Sequence, residues 1–468
     1  MASYDVIFLG GGPAGYVGAI RCAQLGLTTA LVEREGLGGT CVLWGCIPAK
    51  ALLEAAAISN RVRLHAAEFG VTVGEVKLDY GVAMKRSRGV STQNSKGVEF
   101  LFKKHKITYI KGTGRLSGKN AVTVKSADGK EEKLQANKGV VISTGSRVRG
   151  LPQAGLELNK TTVLSSDEVL VLDSAPKSMI VVGAGAVGCE FADVFNAFGT
   201  KVTLVEVLPR ILPVEDAEAS AEVAKSFKKR GIDVVTGAKL SNVKVGKTSV
   251  SMTIEVGGAK SQLEAEKVLV ATGRAANVED LGLKEAGVQL TDRGFIKIND
   301  RMETTAKGVF AIGDVAGPPM LAHKGSREGV VMAELIAGHP TQGMNYKNIP
   351  NATYCHPEVA SIGLTEEQCK EQKLDYTVGR FPFSANGRAR TSGETEGFVK
   401  IIRDSKYGEI LGAHIVGAHA TELIHELVVA RANEFTVEEV DLAIHAHPTM
   451  AEAIAEAALD SMGQVIHA

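Results

Sequence analysis

Short apolar runs separated by glycine-rich turns set the rhythm of most of the chain. YDVIFL (residues 4–9) is unbroken apolar sequence bar its edges, the pattern of a strand buried on both faces. It runs into Gly10-x-Gly12-x-x-Gly15, and the following YVGAIRCAQLG reads as a helix stopped by Gly26. A second apolar run, TTALVE, ends at Glu33. The same order then returns: KSMIVV, Gly183-x-Gly185-x-x-Gly188, a helix, and KVTLVE ending at Glu206. The first glycine and the acid are 23 positions apart in both copies, 33 − 10 and 206 − 183. Each copy later closes on another apolar strand ending in a Thr-Gly turn, VVISTGS at 140–146 and VLVATGR at 268–274. These turns predict boundaries near residues 149 and 276. GVFAIGDVAG adds a strand ending at Gly313 and Asp314. From about residue 346 the pattern changes to strands such as GFVKIIR and ILGAHIVG. Helical runs follow, ATELIHELVVARAN and TMAEAIAEAALDSM, predicting a third, α+β domain without a glycine fingerprint.

Each glycine copy is a strand–loop–helix–strand unit that suits a dinucleotide. The glycines permit a tight turn, the helix N-terminus offers N–H groups to a pyrophosphate, and the acid accepts from ribose hydroxyls. A lone G-x-G-x-x-G is weak: at this glycine content on the order of 0.6 matches arise by chance. Two copies in register carry the weight, and two sites imply two dinucleotides. Glu206 favours a 2′-hydroxyl over a 2′-phosphate, hence NAD over NADP; Arg210, in VEVLPRILP, lies too far along to reverse that.

Composition narrows the partners. The 468 residues are 44% hydrophobic, and 53 basic against 53 acidic side chains leave no net charge. A neutral chain without a long basic run argues against nucleic acid or an anionic membrane. No stretch offers 18 consecutive apolar residues, so no membrane span is expected. Met1 leads almost directly into a strand, so a leader is not expected and the location is read as cytoplasmic. Six cysteines are too sparse for a disulfide scaffold and lack zinc spacing. No metal site is expected.

Two of those cysteines stand apart. In GGTCVLWGCIPAK, Cys41 and Cys46 are five residues apart just after the first glycine loop. On a regular helix such Cα atoms lie ~8.7 Å apart, whereas a disulfide needs about 7 Å or less. An irregular turn at Gly45 would close the gap, with a helix starting near Ile47 or Pro48. Cys46 then sits at the helix's positive end, where a thiolate is favoured, with Lys50 one turn on. A dithiol and a nicotinamide both move two electrons, and a flavin exchanges with both, so the pattern reads as an electron relay.

Together GGTCVLWGCIPAK, VVGAGAVGCE, FAIGDVAGPPMLAHK and HAHPTMAE resemble the dihydrolipoyl dehydrogenases of the pyridine nucleotide–disulfide oxidoreductase family, over nearly the whole chain and in that family's order. The resemblance implies an α/β fold with two Rossmann-like FAD/NAD(P)-binding domains and a C-terminal α+β dimerisation domain. It implies FAD-binding segments at 1–149 and 277–345, an NAD-binding domain at 150–276 and an interface domain at 346–468. FAD would be held by Gly10, Gly12, Gly15, Glu33, Gly39, Thr40, Lys50, Gly114, Thr144, Gly145, Ser146, Asp314 and the stretch Met320, Leu321, Ala322 and His323. NAD would be held by Gly183, Gly185, Gly188, Glu206 and Gly273, with Glu190 at the same site and pairing with Lys50 near the flavin. Cys41 would be the interchange thiol and Cys46 the thiolate against the flavin.

His447 with Glu452 would be the base in HAHPTMAE, with His445 a decoy two residues away. The resemblance places this histidine across a homodimer interface. It implies NAD-linked oxidation of dihydrolipoamide carried by a lipoylated acyltransferase (E2) or a glycine-cleavage lipoyl protein. Leu43 and Ala49 are apolar where the family commonly has Asn and Ser, and Trp44, the only tryptophan, sits inside the loop; Cys22, Cys189, Cys355 and Cys369 are read as small thiols without a redox role. The C-terminus DSMGQVIHA lacks the extra cysteines of mercuric or large thioredoxin reductases, and a soluble transhydrogenase would lack the pair. A glutathione reductase-like enzyme and a redox sensor without turnover are the competing readings.

Overall fold

The computed structural model of the chain describes residues 1–467. By contact the chain divides into two compact units: residues 1–51, 82–149 and 273–344, and residues 52–81, 150–272 and 345–468.

The first unit is built on a sheet in which Thr108–Lys111, Thr29–Glu33, Ala2–Leu9, Glu131–Ile142 and Val309–Ala311 run parallel. Ala121–Lys125 and Thr113–Gly118 extend it antiparallel from the early half of Glu131–Ile142. Both faces are covered. Val6, Phe8, Leu31 and Val141 pack on one side, and Ile7, Leu9, Val32, Val140 and Ile142 on the other. That explains why these strands read as continuous apolar runs and not as alternating ones. Helices Pro13–Gln24 and Ala322–Ala337 pack together on one face. Strand order reverses between Ala2–Leu9 and Glu131–Ile142, and their C-terminal ends carry Gly10 and Ser143. Crevices at such reversals are where open α/β sheets bind ligands.

The second unit repeats the plan with Asp233–Val235, Lys201–Val205, Ser178–Val182, Lys267–Val270 and Val163–Leu164 in parallel order. Here the reversal lies between Ser178–Val182 and Lys267–Val270, at Gly183 and Ala271. A three-stranded antiparallel sheet, Lys239–Val245, Val250–Val256 and Ala259–Ala265, is appended. The α+β part is an antiparallel sheet of Asn351–Thr353, Glu358–Gly363, Ile410–Gly417, Phe398–Asp404 and Tyr376–Pro382. Helices Ala420–Ala432 and Glu452–Ser461 cover it around Phe381, Phe383, Ile401, Ile415, Ile424 and Ile454.

Several elements differ from expectation. The strand expected to reach Asp314 stops at Ala311, and Gly313–Ala316 is a 3₁₀ turn. The last helix begins at Glu452, whose carboxylate accepts from the Thr449 N–H at 2.7 Å. Residues 52–81 group with the second unit by contact. There the Tyr80 hydroxyl donates to Val169 O at 2.7 Å, and its ring stacks on Phe195 at 5.3 Å. The helical run Gly39–Phe69 contains a window long and apolar enough, by composition alone, to cross a bilayer. It includes Cys46, Lys50 and Glu54, so it is not a stretch of 18 consecutive apolar residues.

Candidate active site

Both glycine loops have the same geometry. Gly10 (φ +108°) and Gly183 (φ +100°) turn the chain against the neighbouring strand. A Cβ there would lie 2.3 Å from Ser143 O and 2.6 Å from Ala271 O. Gly15 and Gly188 press on the loop itself: a Cβ there would lie 2.0 and 1.9 Å from the carbonyl oxygens of Gly10 and Gly183, so neither tolerates a side chain. Gly12 and Gly185 instead precede helices Pro13–Gln24 and Ala186–Ala197, whose first turns have no side-chain cap. Beside Gly185 the space is open, and a Cβ at Gly12 would meet nothing nearer than Gly39 Cα at 4.0 Å. Uncapped N–H groups beside open space suit a pyrophosphate.

Each acid is pinned in the same way. Glu33 accepts from the N–H of Gly11 at 2.7 Å and of Glu35 at 2.8 Å. Glu206 accepts from Ala184 at 2.7 Å and Leu208 at 2.9 Å. A carboxylate held by two backbone donors keeps lone pairs for ribose hydroxyls. Arg210 is committed elsewhere: it donates to Glu367 at 2.7 Å and to Glu215 O at 3.3 Å. The residue set therefore fits one dinucleotide at each loop.

The cysteine segment docks on the first loop, where the Gly38 N–H donates to Gly11 O at 2.8 Å. Cys41 lies in the short helix Gly39–Leu43, and Cys46 opens helix Cys46–Asn60, one residue earlier than expected. Trp44 and Gly45 form the irregular turn between them. A Cβ on Gly45 would come 3.1 Å from Thr40 O, so the backbone doubles back there. Both cysteines are thiols, and Cys41 hydrogen-bonds with Cys46. That bond, then burial, then the charge on Cys46, hold the Cys41 thiol well above the ordinary range, with Lys50 pulling the other way. Cys46 itself opens its helix, at the N-terminal end where a thiolate is favoured. Tyr16 faces the pair from helix Pro13–Gln24; burial first, and Cys41 next, raise its phenol. The remaining cysteines are buried, and burial pushes Cys22 up to about 12 and lifts Cys189, Cys355 and Cys369.

Asp314 accepts from Ser146 Oγ at 2.5 Å, and Ser146 Oγ in turn accepts from Arg274 Nε at 2.7 Å. The Asp314 turn is tied from below by a buried pair that the sequence reading missed. Lys324 Nζ donates to Gly313 O (3.1 Å) and Gly317 O (2.8 Å) and pairs with Glu328 at 3.2 Å. Glu328 accepts the Gly313 N–H at 2.7 Å. Thr144 Oγ1 donates to Asn277 O at 2.8 Å, and the Asn277 N–H returns to Gly145 O at 3.0 Å. Gly114 has a packing role as well, since a Cβ would meet Leu9 at 2.6 Å. Thr40 and His323 are exposed, and Gly39, Met320, Leu321 and Ala322 half-buried. Lys50 belongs to the first unit and Glu190 to the second, where Glu190 accepts the Tyr354 N–H at 3.0 Å. Gly273 takes φ +128° with open space around it.

His447 and Glu452 belong to the second unit. His447 Nδ1 lies 2.8 Å from Glu452 Oε1, with the ring 80% exposed. Burial works to raise the Glu452 carboxyl, but the Thr449 N–H and His447 hold it below its usual value. A charged carboxylate only accepts, so Nδ1 carries the proton and Nε2 is left as a base. His445 cannot play that part: its ring nitrogens face Ala443 O and Glu426, both at 2.8 Å.

The model of the pyridine nucleotide-disulphide oxidoreductases matches residues 4–329, and that of their dimerisation domain residues 349–458. The chain belongs to this family. It is an oxidoreductase, and the matched dimerisation domain supports a homodimer. A protein of Rhizobium etli named dihydrolipoyl dehydrogenase is 46% identical over 482 residues, covering 100% of this chain and 99% of that protein. One of the same name from Mycobacterium tuberculosis is 45% identical over 468 residues and covers 100% of both, and one from Bacillus subtilis is 43% identical and covers 99% of both. Among solved structures, LpdA of Mycobacterium tuberculosis superimposes with a TM-score of 0.90 at 27% identity, covering 98% of this chain and 99% of that one. The flavoprotein disulfide reductase RclA of Escherichia coli gives 0.86 at 25%, with the same coverage. The family's α/β architecture with two nucleotide-binding folds and a dimerisation domain is the one described above.

Proposed function

We propose that this chain is a dihydrolipoyl dehydrogenase, oxidising protein-bound dihydrolipoamide to lipoamide and reducing NAD. The observation that carries the reading is the Cys41–Cys46 pair, two thiols hydrogen-bonded to each other on a segment docked against a glycine loop. Full-length relatives of that name support it.

The pair works from its disulfide form. A substrate thiolate attacks Cys41 Sγ, the Cys41–Cys46 bond breaks, and Cys46 leaves as a thiolate stabilised by its helix N-terminus. The substrate's second thiolate then attacks its own sulfur in the mixed disulfide and expels Cys41. Lipoamide leaves oxidised, and the protein holds two reduced sulfurs. Bound FAD supplies the two-electron relay from that dithiol to the nicotinamide. His447 Nε2 takes the proton from the substrate thiol, while Glu452 holds Nδ1–H and stabilises the imidazolium. Glu33 and Asp314 serve FAD. Glu206 serves NAD and repels a 2′-phosphate, and Val207 beside it is exposed and uncharged.

On this reading 1–149 and 277–345 form the FAD domain, 150–276 the NAD domain and 346–468 the interface domain. His447 faces the cysteine pair of a second copy of the chain, so a verified monomer should be inactive on dilution. The protein partner is a lipoylated acyltransferase (E2) or the glycine-cleavage lipoyl protein, in the cytoplasm, where sparse cysteines stay reduced.

The test is a paired assay. Dihydrolipoamide with NAD should turn over, and glutathione disulfide with NADPH should not. The reverse pattern makes it a glutathione reductase-like enzyme, and turnover of neither makes it a sensor.

A further inference from the structure

Helix Tyr80–Lys104 sends a row of donors to the backbone of the cysteine segment. Ser95 Oγ donates to Leu37 O (2.7 Å), Ser91 Oγ to Val42 O (2.5 Å), Arg88 Nη1 to Leu43 O, and Ser87 Oγ to Pro48 O (2.9 Å). Ser87 and Ser91 are fully buried. The Arg88 guanidinium also lies 4.6 Å from the centre of the Trp44 ring, the chain's one tryptophan.

Two of these contacts have a specific job. Val42 and Leu43 end the five-residue helix that carries Cys41. The last carbonyls of a helix have no partner within it. Here the chain breaks at Trp44 and Gly45 and starts again at Cys46, so these carbonyls call for donors from outside the helix. Ser91 and Arg88 supply those donors from the neighbouring helix, and Trp44 under the guanidinium fixes its direction.

We propose that Ser91 and Arg88 are positioning residues for the Cys41–Cys46 couple, capping Val42 and Leu43 so that the two sulfurs stay at closing separation and the disulfide is favoured. The inference rests on the disulfide reading above. A segment already held has lost its freedom before the bond forms, so closure costs less. Without the caps only the dithiol form gains freedom to spread, and the couple becomes easier to reduce.

The experiment equilibrates the holoenzyme anaerobically with graded mixtures of reduced and oxidised dithiothreitol. Oxidation joins Cys41 and Cys46 and releases two electrons and two protons. The reagent's disulfide takes them up and opens to its dithiol. Acid quench, alkylation of the denatured chain and mass spectrometry of the Cys41–Cys46 peptide read the equilibrium without relying on turnover.

Ser91→Ala should lower the oxidation constant about five- to tenfold, from a buried hydrogen bond worth about 1 kcal/mol; tenfold is ~30 mV for a two-electron couple. Arg88→Met should shift it in the same direction, and carries the test alone if the buried Ser91 variant does not fold. The double variant should shift by less than the product, because Ser91 Oγ also reaches Leu43 O at 3.5 Å. Variants that titrate within twofold of wild type, or shift toward the disulfide, overturn the inference and leave the proposed function standing. A wild-type protein whose two cysteines do not oxidise together overturns the disulfide reading itself.

Discussion

Replacing Lys324 with methionine is the sharpest structural test of how the Asp314 turn is held. The side chain is 2% exposed and its partner Glu328 1%. The ammonium satisfies the carbonyls of Gly313 and Gly317 and the charge of Glu328, while Glu328 still accepts the Gly313 N–H. Methionine fills the space but leaves a buried carboxylate without its cation. Removing one member of such a pair costs about 3–5 kcal/mol. For a lobe of this size that is roughly 6–20 °C of apparent melting temperature. Because the strained turn carries Asp314, FAD should also be lost earlier. Flavin fluorescence during a thermal ramp reports both. The double variant Lys324→Met with Glu328→Gln removes the stranded charge but keeps an acceptor for Gly313, and should recover at least half of the loss. A single variant melting within about 2 °C of wild type and retaining its flavin would refute the reasoning.

Other perturbations separate the roles of the remaining residues. Glu206→Ala removes the acceptor proposed for the NAD ribose, and KM for NAD should rise about tenfold, equivalent to about 1.4 kcal/mol, with kcat at saturation little changed; an unchanged KM contradicts the assignment. His447→Gln should cut kcat by about 10²–10⁴ with the flavin spectrum intact, the range of a lost general base; near-normal turnover would move the base elsewhere. Glu366 is held down to about 2 from 4.5, by Lys370 first and then Lys400. A depressed acid adds stability that is present above its unfolded pKa and fades as pH falls toward the folded one. The urea midpoint of Glu366→Gln should therefore trail wild type at about pH 6 and converge with it as pH falls from about 4.5 toward about 2; a constant gap contradicts the ion pairing.

What the sequence made legible follows from local physics. Both nucleotide folds were readable because a strand buried on both faces cannot hide its apolar run, and because Gly10, Gly15, Gly183 and Gly188 have no room for another residue. ILGAHIVG matches Ile410–Gly417 residue for residue. The Cys41–Cys46 turn was readable from Gly45. What stayed hidden depends on distant partners. Lys324 and Glu328, four apart, look like an ordinary surface pair until the Gly313 turn closes over them. Ser87, Ser91 and Ser95 look like a polar stripe on a helix, and only folding supplies the carbonyls of Pro48, Val42 and Leu37. Arg274 meets Ser146 across a separation of 128 residues. His445 and His447 were told apart by resemblance, while in the fold one ring is occupied on both sides and the other on one.

The central claim is that two electrons from a dithiol substrate pass through one particular pair of sulfurs. The most direct measurement adds one equivalent of dihydrolipoamide to the oxidised holoenzyme without oxygen or NAD, then counts and maps alkylatable thiols by mass spectrometry. The account predicts two new thiols, both on the peptide bearing Cys41 and Cys46, which disappear again when NAD is added and NADH forms. New thiols on any other cysteine, or none at all, would contradict it.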